Sequence, residues 1–241
     1  MMPLAEIIAL PRCTACGVVT SPGESCRECT PSPCARCGAQ ATRRDGCGQC
    51  ARAERWEAKA RALHIPERFA WSSFAAEGLL ASRVGAGKVA VDTARRSVDA
   101  ATLVFVGPTG AGKTSLASAT LRARFALDFD RRDRRSYAHR FVSAPAVAGS
   151  RATHPLGRGD APAVVAAVAV DLLLLDDVGS EASRYSEVIA EIIHTRHDAS
   201  RATWVTTGLT TSQIAERYSG AIERRIYEHA TIIRCASGGA R

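Results

Sequence analysis

The sequence predicts an α/β fold in two unequal parts, and three observations carry that prediction. Eight of the nine cysteines stand in two matched sets before position 51, an apolar run at 102–106 leads into the glycine-rich stretch 107–114, and a second apolar run at 172–175 ends on two aspartates. At 241 residues the chain is long enough for one substantial core plus a small appended module, since cores usually take roughly 100–200 residues each. The boundaries that follow are a cysteine module at 1–55, a linker at 56–64 and an α/β domain at 65–241.

Cys13, Cys16, Cys26 and Cys29 recur as Cys34, Cys37, Cys47 and Cys50, so each set reads C-x2-C-G-x8-C-x2-C. The opening stretch 1–12 is broken by Glu6 and lacks the charged start and long apolar core of a secretory signal. A reducing, cytoplasmic compartment is therefore expected, where paired thiols hold metal more often than they form disulfides. Iron–sulfur clusters use other spacings. Four thiolates around a d10 ion make a closed, structural tetrahedral site, so the pattern predicts two zinc ions per chain. A glycine such as Gly17 or Gly38 relieves crowding behind each first pair. One ion per repeat is the simpler pairing, and a crossed arrangement stays open. With few large apolar side chains in about 55 residues, metal binding must supply the folding energy that a core cannot. Arg27, Arg36, Arg43 and Arg44 give this module a mildly basic surface, whereas Cys235 reads as a small buried hydrophobe.

The motif "GAGK" occurs twice, and context separates the copies. The second completes G-x4-G-K-[ST] across Gly107, Pro108, Thr109, Gly110, Ala111, Gly112, Lys113, Thr114 and Ser115, between a predicted strand and a predicted helix. Backbone N–H groups of such a loop curl around phosphates, Lys113 reaches the β/γ oxygens, and Thr114 offers a hydroxyl to magnesium. In the first copy Ser82 replaces the leading glycine and Val89 the magnesium hydroxyl, so it reads as a loop and helix start. The stretch "DLLLLDDVGSE" supplies the acidic partner. Asp176 is expected to hold Mg2+ through water, Asp177 to orient or deprotonate the attacking water, and Glu181 stands in reserve. Together the motifs predict ATP or GTP binding.

The longest apolar run, 161–175, is interrupted by Asp171 and falls short of the roughly 18 residues that span a bilayer, so no membrane partner is expected. The net charge of +8 is a weak sign of nucleic acid. Two segments are candidates for its backbone: Arg131, Arg132, Arg134, Arg135 and Arg140 in one, and the loop 149–160 in the other. The first also carries Asp128, Asp130 and Asp133 and reads nearly as well as a solvated linker.

The segments "IPERFAWSSF", "GPTGAGKTS", "DLLLLDDVGSE" and "ATWVTTGLTTSQIAERYSGAIERRIYEHATIIRC", taken in order with the closing "SGGAR", resemble the DnaC/IstB family of AAA+ ATPases. The resemblance covers about Ile65 to Arg241 and does not include the cysteine module. It implies a P-loop core with a parallel sheet in the order 5-1-4-3-2 and no C-terminal helical lid; the cysteine spacing adds a small zinc-ribbon-like domain before that core. It also implies that Arg225, with Arg224 beside it, is an arginine finger reaching a neighbour's ATP, so that subunits assemble through the site. Arg241 matches a second sensor, and the segment holding Trp71 and Phe74 is one that packs near the base, although both residues read equally well as plain core. Where the family places a sensor asparagine this chain has Gly208 after Thr206 and Thr207. Either Thr207 substitutes through its hydroxyl or hydrolysis is slow. The function implied is an ATP-dependent helicase loader that binds single-stranded DNA and, through the cysteine module, a DnaB-like replicative helicase. The alternatives are a transposition helper acting with duplex DNA and a transposase, and a nucleotide-binding adaptor with little turnover.

Overall fold

The computed structural model describes residues 13, 14, 16, 18, 25–42, 45–76, 87–132, 137–155 and 157–236. The chain divides into two compact units, with the boundary between Lys59 and Ala60.

In the first unit, strands β1 (Ser32–Pro33) and β2 (Gln40–Ala41) pair antiparallel. Cys34 and Cys37 lie on the turn between them. That turn closes through Gly38 N to Cys34 O and Cys34 N to Ala39 O, both 2.8 Å. Gly38 has φ +73°, a conformation open to a residue without a Cβ, as the sequence led us to expect. Gly17, Arg43 and Arg44 lie outside the described residues. Helix α1 (Gly48–Arg61) starts just after Cys47 and carries Cys50 on its first turn. None of the described residues from 13 to 59 is buried. Over the segment read as a linker, α1 runs on to Arg61, and Leu63 is buried against Phe125 and Phe129 while its carbonyl accepts from Phe141 N at 2.7 Å.

The second unit is built on a parallel sheet of β3 (Thr102–Val106), β4 (His139–Ser143), β5 (Leu172–Val178), β6 (Ala202–Thr207) and β7 (Thr231–Arg234). The spatial order is β4-β5-β6-β3-β7, all neighbours parallel. Counted within the sheet this is the expected 5-1-4-3-2. Period-two alternation sends Leu172 and Leu174 with Leu103, Phe105 and Trp204 to one face, and Leu173 and Leu175 with Val104 and Val205 to the other. The first face is covered by α2 (Gly87–Arg96) and α3 (Lys113–Arg132). The second is covered by α4 (Ala144–Ala152), α5 (Pro162–Ala169), α6 (Ser186–Asp198), α7 (Thr211–Tyr218) and α8 (Gly220–Tyr227). Strands buried on both faces are what the unbroken leucine run required. Among the described residues no helix follows β7 and no helix is long and apolar enough to cross a membrane.

Two polar devices pin this core. Arg196 on α6 is fully buried, and its guanidinium donates to the carbonyls of Ala167 (2.8 Å), Val170 (2.7 Å) and Ala202 (2.5 Å) and to Thr203 Oγ1 (3.0 Å). It thereby satisfies the C-terminal carbonyls of α5, a role that five N–H donors in a fixed fork suit. Burial pulls the pKa of Arg196 down to about 10. On the opposite face His139 Nε2 lies 3.0 Å from Asp128 Oδ2, which also accepts from Arg124 Nε at 2.7 Å. Arg131 sits 3.2 Å from Asp99 in an ion pair. The basic run at 131–140 is therefore split between the end of α3 and the start of β4, with Arg134 and Arg135 outside the described residues.

Candidate functional site

The carboxyl ends of β3 and β5 meet at a cleft of about 550 Å³. The loop after β3 supplies its floor with Thr109, Gly110, Gly112, Lys113, Thr114 and Ser115, and α3 begins at Lys113, so the N-terminus of that helix points into the cleft. Gly107 cannot carry a side chain, because a Cβ there would stand 1.8 Å from the carbonyl oxygen of Cys235 and φ is +154°. Cys235 N in turn donates to Val106 O at 2.7 Å, which ties the loop to the chain leaving β7. The Cys235 thiol is buried, as expected for a small hydrophobe, and burial pushes its pKa up to about 11. Lys113 Nζ donates to Gly107 O (2.8 Å) and Pro108 O (2.9 Å), holding the ammonium at the loop where phosphate oxygens would otherwise accept.

Asp176 is buried and Asp177 exposed, a difference made by a bulge. The β5–β6 register shifts between Leu175 and Val178, and Asp177 takes φ +61°, a left-handed conformation that aspartate tolerates better than most residues. Thr206 Oγ1 braces both residues, donating to Asp176 Oδ1 at 2.7 Å and accepting from Asp177 N at 2.8 Å. Burial holds the Asp176 carboxyl above the usual range, opposed first by the Thr206 hydrogen bond and then by that of Thr114. A buried carboxylate beside a threonine hydroxyl is a hard-oxygen pair of the kind that magnesium takes together with waters, so Thr114 and Asp176 fit that ion.

Two expected roles are corrected here. Thr207 is fully buried, and its hydroxyl donates to Val178 O (2.7 Å) and accepts from Leu209 N (3.0 Å), so it does not face the cleft. The threonine that does reach the acidic pair is Thr206, one residue earlier. Glu181 is no spare base: it is buried, Arg217 Nε (2.9 Å) and the Tyr218 hydroxyl donate to Oε1, and Gly179 N donates to Oε2 at 3.0 Å. In the segment proposed for DNA, Arg151 lies on the last turn of α4 and pairs with Asp160 at 2.6 Å and with Glu191, whereas Arg158 is exposed on the loop that follows.

Gly208 lies next to the phosphate loop. A Cβ there would meet only Gly107 O, at 3.7 Å. Arg225 does not share the cleft. It lines a separate cavity of about 260 Å³ with Thr102 and Thr203, at the amino ends of β3 and β6, and its Nη1 donates to Ala221 O at 3.1 Å. Trp71 lines the cleft, whereas Phe74 packs against the core on the α2–α3 face. Arg241 lies outside the described residues, as do 77–86. The decoy motif therefore enters the described chain only at Gly87, where α2 starts, and Val89 is exposed.

In the first unit the sulfurs group by repeat: Cys13, Cys16, Cys26 and Cys29 form one cluster, Cys34, Cys37, Cys47 and Cys50 the other, each within 4.8 Å throughout. This settles the pairing as sequential. Sulfur separations of 3.8 and 3.5 Å in the first and 3.7 and 3.4 Å in the second fit a tetrahedron with metal–sulfur bonds of about 2.3 Å, whose edges are about 3.8 Å. The Arg36 and Cys37 backbone N–H groups hold the Cys34 thiol down to about 6, whereas Cys16 pushes Cys29, and Cys37 pushes Cys50, up to about 12. Four such sulfurs cannot all ionise without a cation among them.

A phosphate loop, an acidic strand end and this strand order define a P-loop core of the AAA+ type, an ATPase-type fold, behind a zinc-ribbon-like region with two four-cysteine clusters capable of holding zinc. The solved structures it is similar to agree. A DnaC helicase loader matches over 70% of this chain and 99% of its own at 25% identity and TM-score 0.56. A protein described as a putative primosome component from Streptococcus pyogenes serotype M3 matches over 81% of this chain and 100% of its own, at 16% identity and TM-score 0.54. The latter likeness is one of fold alone. No family model and no curated protein sequence matches the chain.

Proposed function

We propose that this chain is an ATP-dependent helicase loader of replication initiation. The observation that carries the reading is the cleft that joins Lys113 and Thr114 to Asp176 and Asp177, in a chain whose fold is similar to that of a DnaC helicase loader. The backbone N–H groups of 107–115 and Lys113 bind the β- and γ-phosphates of ATP, and Asp177, exposed on its bulge, orients the attacking water. Magnesium, held by Thr114 and Asp176, would supply charge neutralisation on the phosphates. Thr206 fixes the Asp176 carboxylate and the Asp177 backbone and is the positioning residue of the pair. Because Arg225 sits at the far end of the strands from its own cleft, any triphosphate it touches belongs to a neighbouring subunit, which makes ATP a switch for assembly. The two clusters hold zinc and stiffen a head that engages a DnaB-like replicative helicase, while the assembled ring or spiral holds single-stranded DNA.

A second reading, in which ATP binds but turns over slowly, is favoured by one observation: neither Thr207, with its hydroxyl committed to backbone, nor Gly208 presents a polar side chain at the tip of β6. ATP turnover with and without single-stranded DNA tests both. Lys113→Ala is expected to abolish it, and an equal mixture of Lys113→Ala and Arg225→Ala chains to recover part of it. Failure of all mixtures would remove the shared site. Gly208→Asn, which the 3.7 Å clearance admits, is expected to raise turnover severalfold under the slow-switch reading, and no change would discard that reading.

A further inference from the structure

The cleft has a wall that the phosphate loop does not supply. Arg68 stands on the 3-10 turn Glu67–Phe69, upstream of α2, and lines the cleft together with Lys113, Asp176 and Asp177. Among the described residues, Lys113 and Arg68 are the two cations that line it. The Arg68 guanidinium carbon lies 4.8 Å from the centroid of the Phe69 ring, and among the described residues no carboxylate stands within ion-pair distance of it. Stacking orients a guanidinium while leaving its N–H fork open to a ligand. The turn that carries it is fixed by Ala70 N to Glu67 O (2.8 Å), Ser72 N to Phe69 O (3.0 Å) and Trp71 Nε1 to Arg68 O (2.9 Å).

We propose that Arg68 is a second cation for the bound triphosphate, acting in the same subunit at the terminal phosphate beside Asp176 and Asp177, so that it distinguishes ATP from ADP. The inference rests on the nucleotide reading above. Lys113 grips phosphates from the loop side, whereas Arg68 would grip from the opposite wall, with two parallel N–H donors matched to phosphate oxygens. A diphosphate ends before it reaches that fork.

The test is calorimetric titration of the full chain with Mg2+ and either a non-hydrolysable ATP analogue or ADP, in wild type, Arg68→Ala, Arg68→Lys and Lys113→Ala. Arg68→Ala is expected to weaken the ATP analogue about tenfold and ADP by less than about threefold, as loss of an exposed charge-assisted contact to the terminal phosphate would. Arg68→Lys is expected to keep part of the difference. The nucleotide-free melting temperature is expected to stay at the wild-type value, because Arg68 is exposed. Equal weakening of both nucleotides, or of neither, overturns the assignment of Arg68 while leaving the site intact. If Lys113→Ala binds both nucleotides as wild type does, the nucleotide reading itself fails, and this inference with it.

Discussion

The two units of this chain reach order by opposite means. In the second, Leu103, Val104, Phe105, Leu172–Leu175 and Trp204 are all buried to about 1% exposure or less, and the strands they lie on need no external support. In the first, no described residue is buried, the strands are two residues long, and the links between residues distant in sequence are sulfurs 3.4–3.8 Å apart together with the exposed Arg36–Glu54 ion pair. A hydrophobic core stabilises by area removed from water, whereas a four-thiolate cluster stabilises by the affinity of an ion that the unfolded chain does not bind well. The difference teaches where each unit is vulnerable: one to lost volume and lost buried hydrogen bonds, the other to chelators and protons.

The largest effect that tests this contrast is metal removal. The full chain is expected to carry about two zinc ions, and stripping them removes roughly 10–16 kcal/mol of folding free energy per site. Amide protection in residues 25–59 should then collapse while β3–β7 and nucleotide affinity stay as they were. If the parallel sheet opens together with the cysteine module, the two units are not energetically separate and the contrast fails.

A smaller effect probes the second unit alone. Arg196→Leu deletes the guanidinium donors to the carbonyls of Ala167, which is buried, and of Val170 and Ala202, which are partly buried. The expected loss is about 3 kcal/mol or more in urea unfolding, with metal content unchanged. Arg196→Lys should recover little, since one ammonium cannot span acceptors that a guanidinium fork reaches together. Wild-type stability in Arg196→Leu would show that apolar burial alone holds this sheet.

Much of this was legible in the residues. Cysteine spacing gave the clusters, because two residues between ligands is a local geometric demand. The leucine run gave the buried strand, and the phosphate loop with its aspartates gave one end of the cleft. The strand order was available only through resemblance, because period-two patterning reports which faces are buried and not which strands are neighbours. Thr206 was within reach. Asp176 lies two residues after Leu174 and Thr206 two after Trp204, and all four share the α3 face by alternation, which leaves Thr207 on the other side. Asp177 escapes that parity through the bulge, which nothing in "LLLLDDVG" announces. Arg196, Arg68 and the Arg217–Glu181 pair depend on contacts between elements far apart in sequence, and an arginine on a helix carries no local sign that it will be buried.

The smallest effect concerns protons, to which the two units should respond through different groups. His139 is buried against Phe125 and Tyr137, and burial lowers its pKa from 6.5 against the raising effect of Asp128 and, more weakly, Asp171; Arg124 adds to the lowering. Its folded pKa lies below its unfolded one, so between them the unfolded chain binds more protons. The stability that neutral His139 contributes is therefore complete above about pH 6.5 and declines as pH falls through 6.5 toward the folded value. The cysteine clusters, once loaded with zinc, are expected to lose stability on acidification for a separate reason, because protons displace the metal from sulfur. Urea unfolding of the sheet at pH 7.5 and 5.5, followed through buried Trp204 by comparison with a Trp204→Phe chain, isolates the histidine contribution. His139→Phe should flatten the pH dependence of that transition and leave the pH of metal release where it was. A slope that survives the substitution would move the proton sensitivity of the sheet to another group, and a shifted metal release would mean that the two units share it.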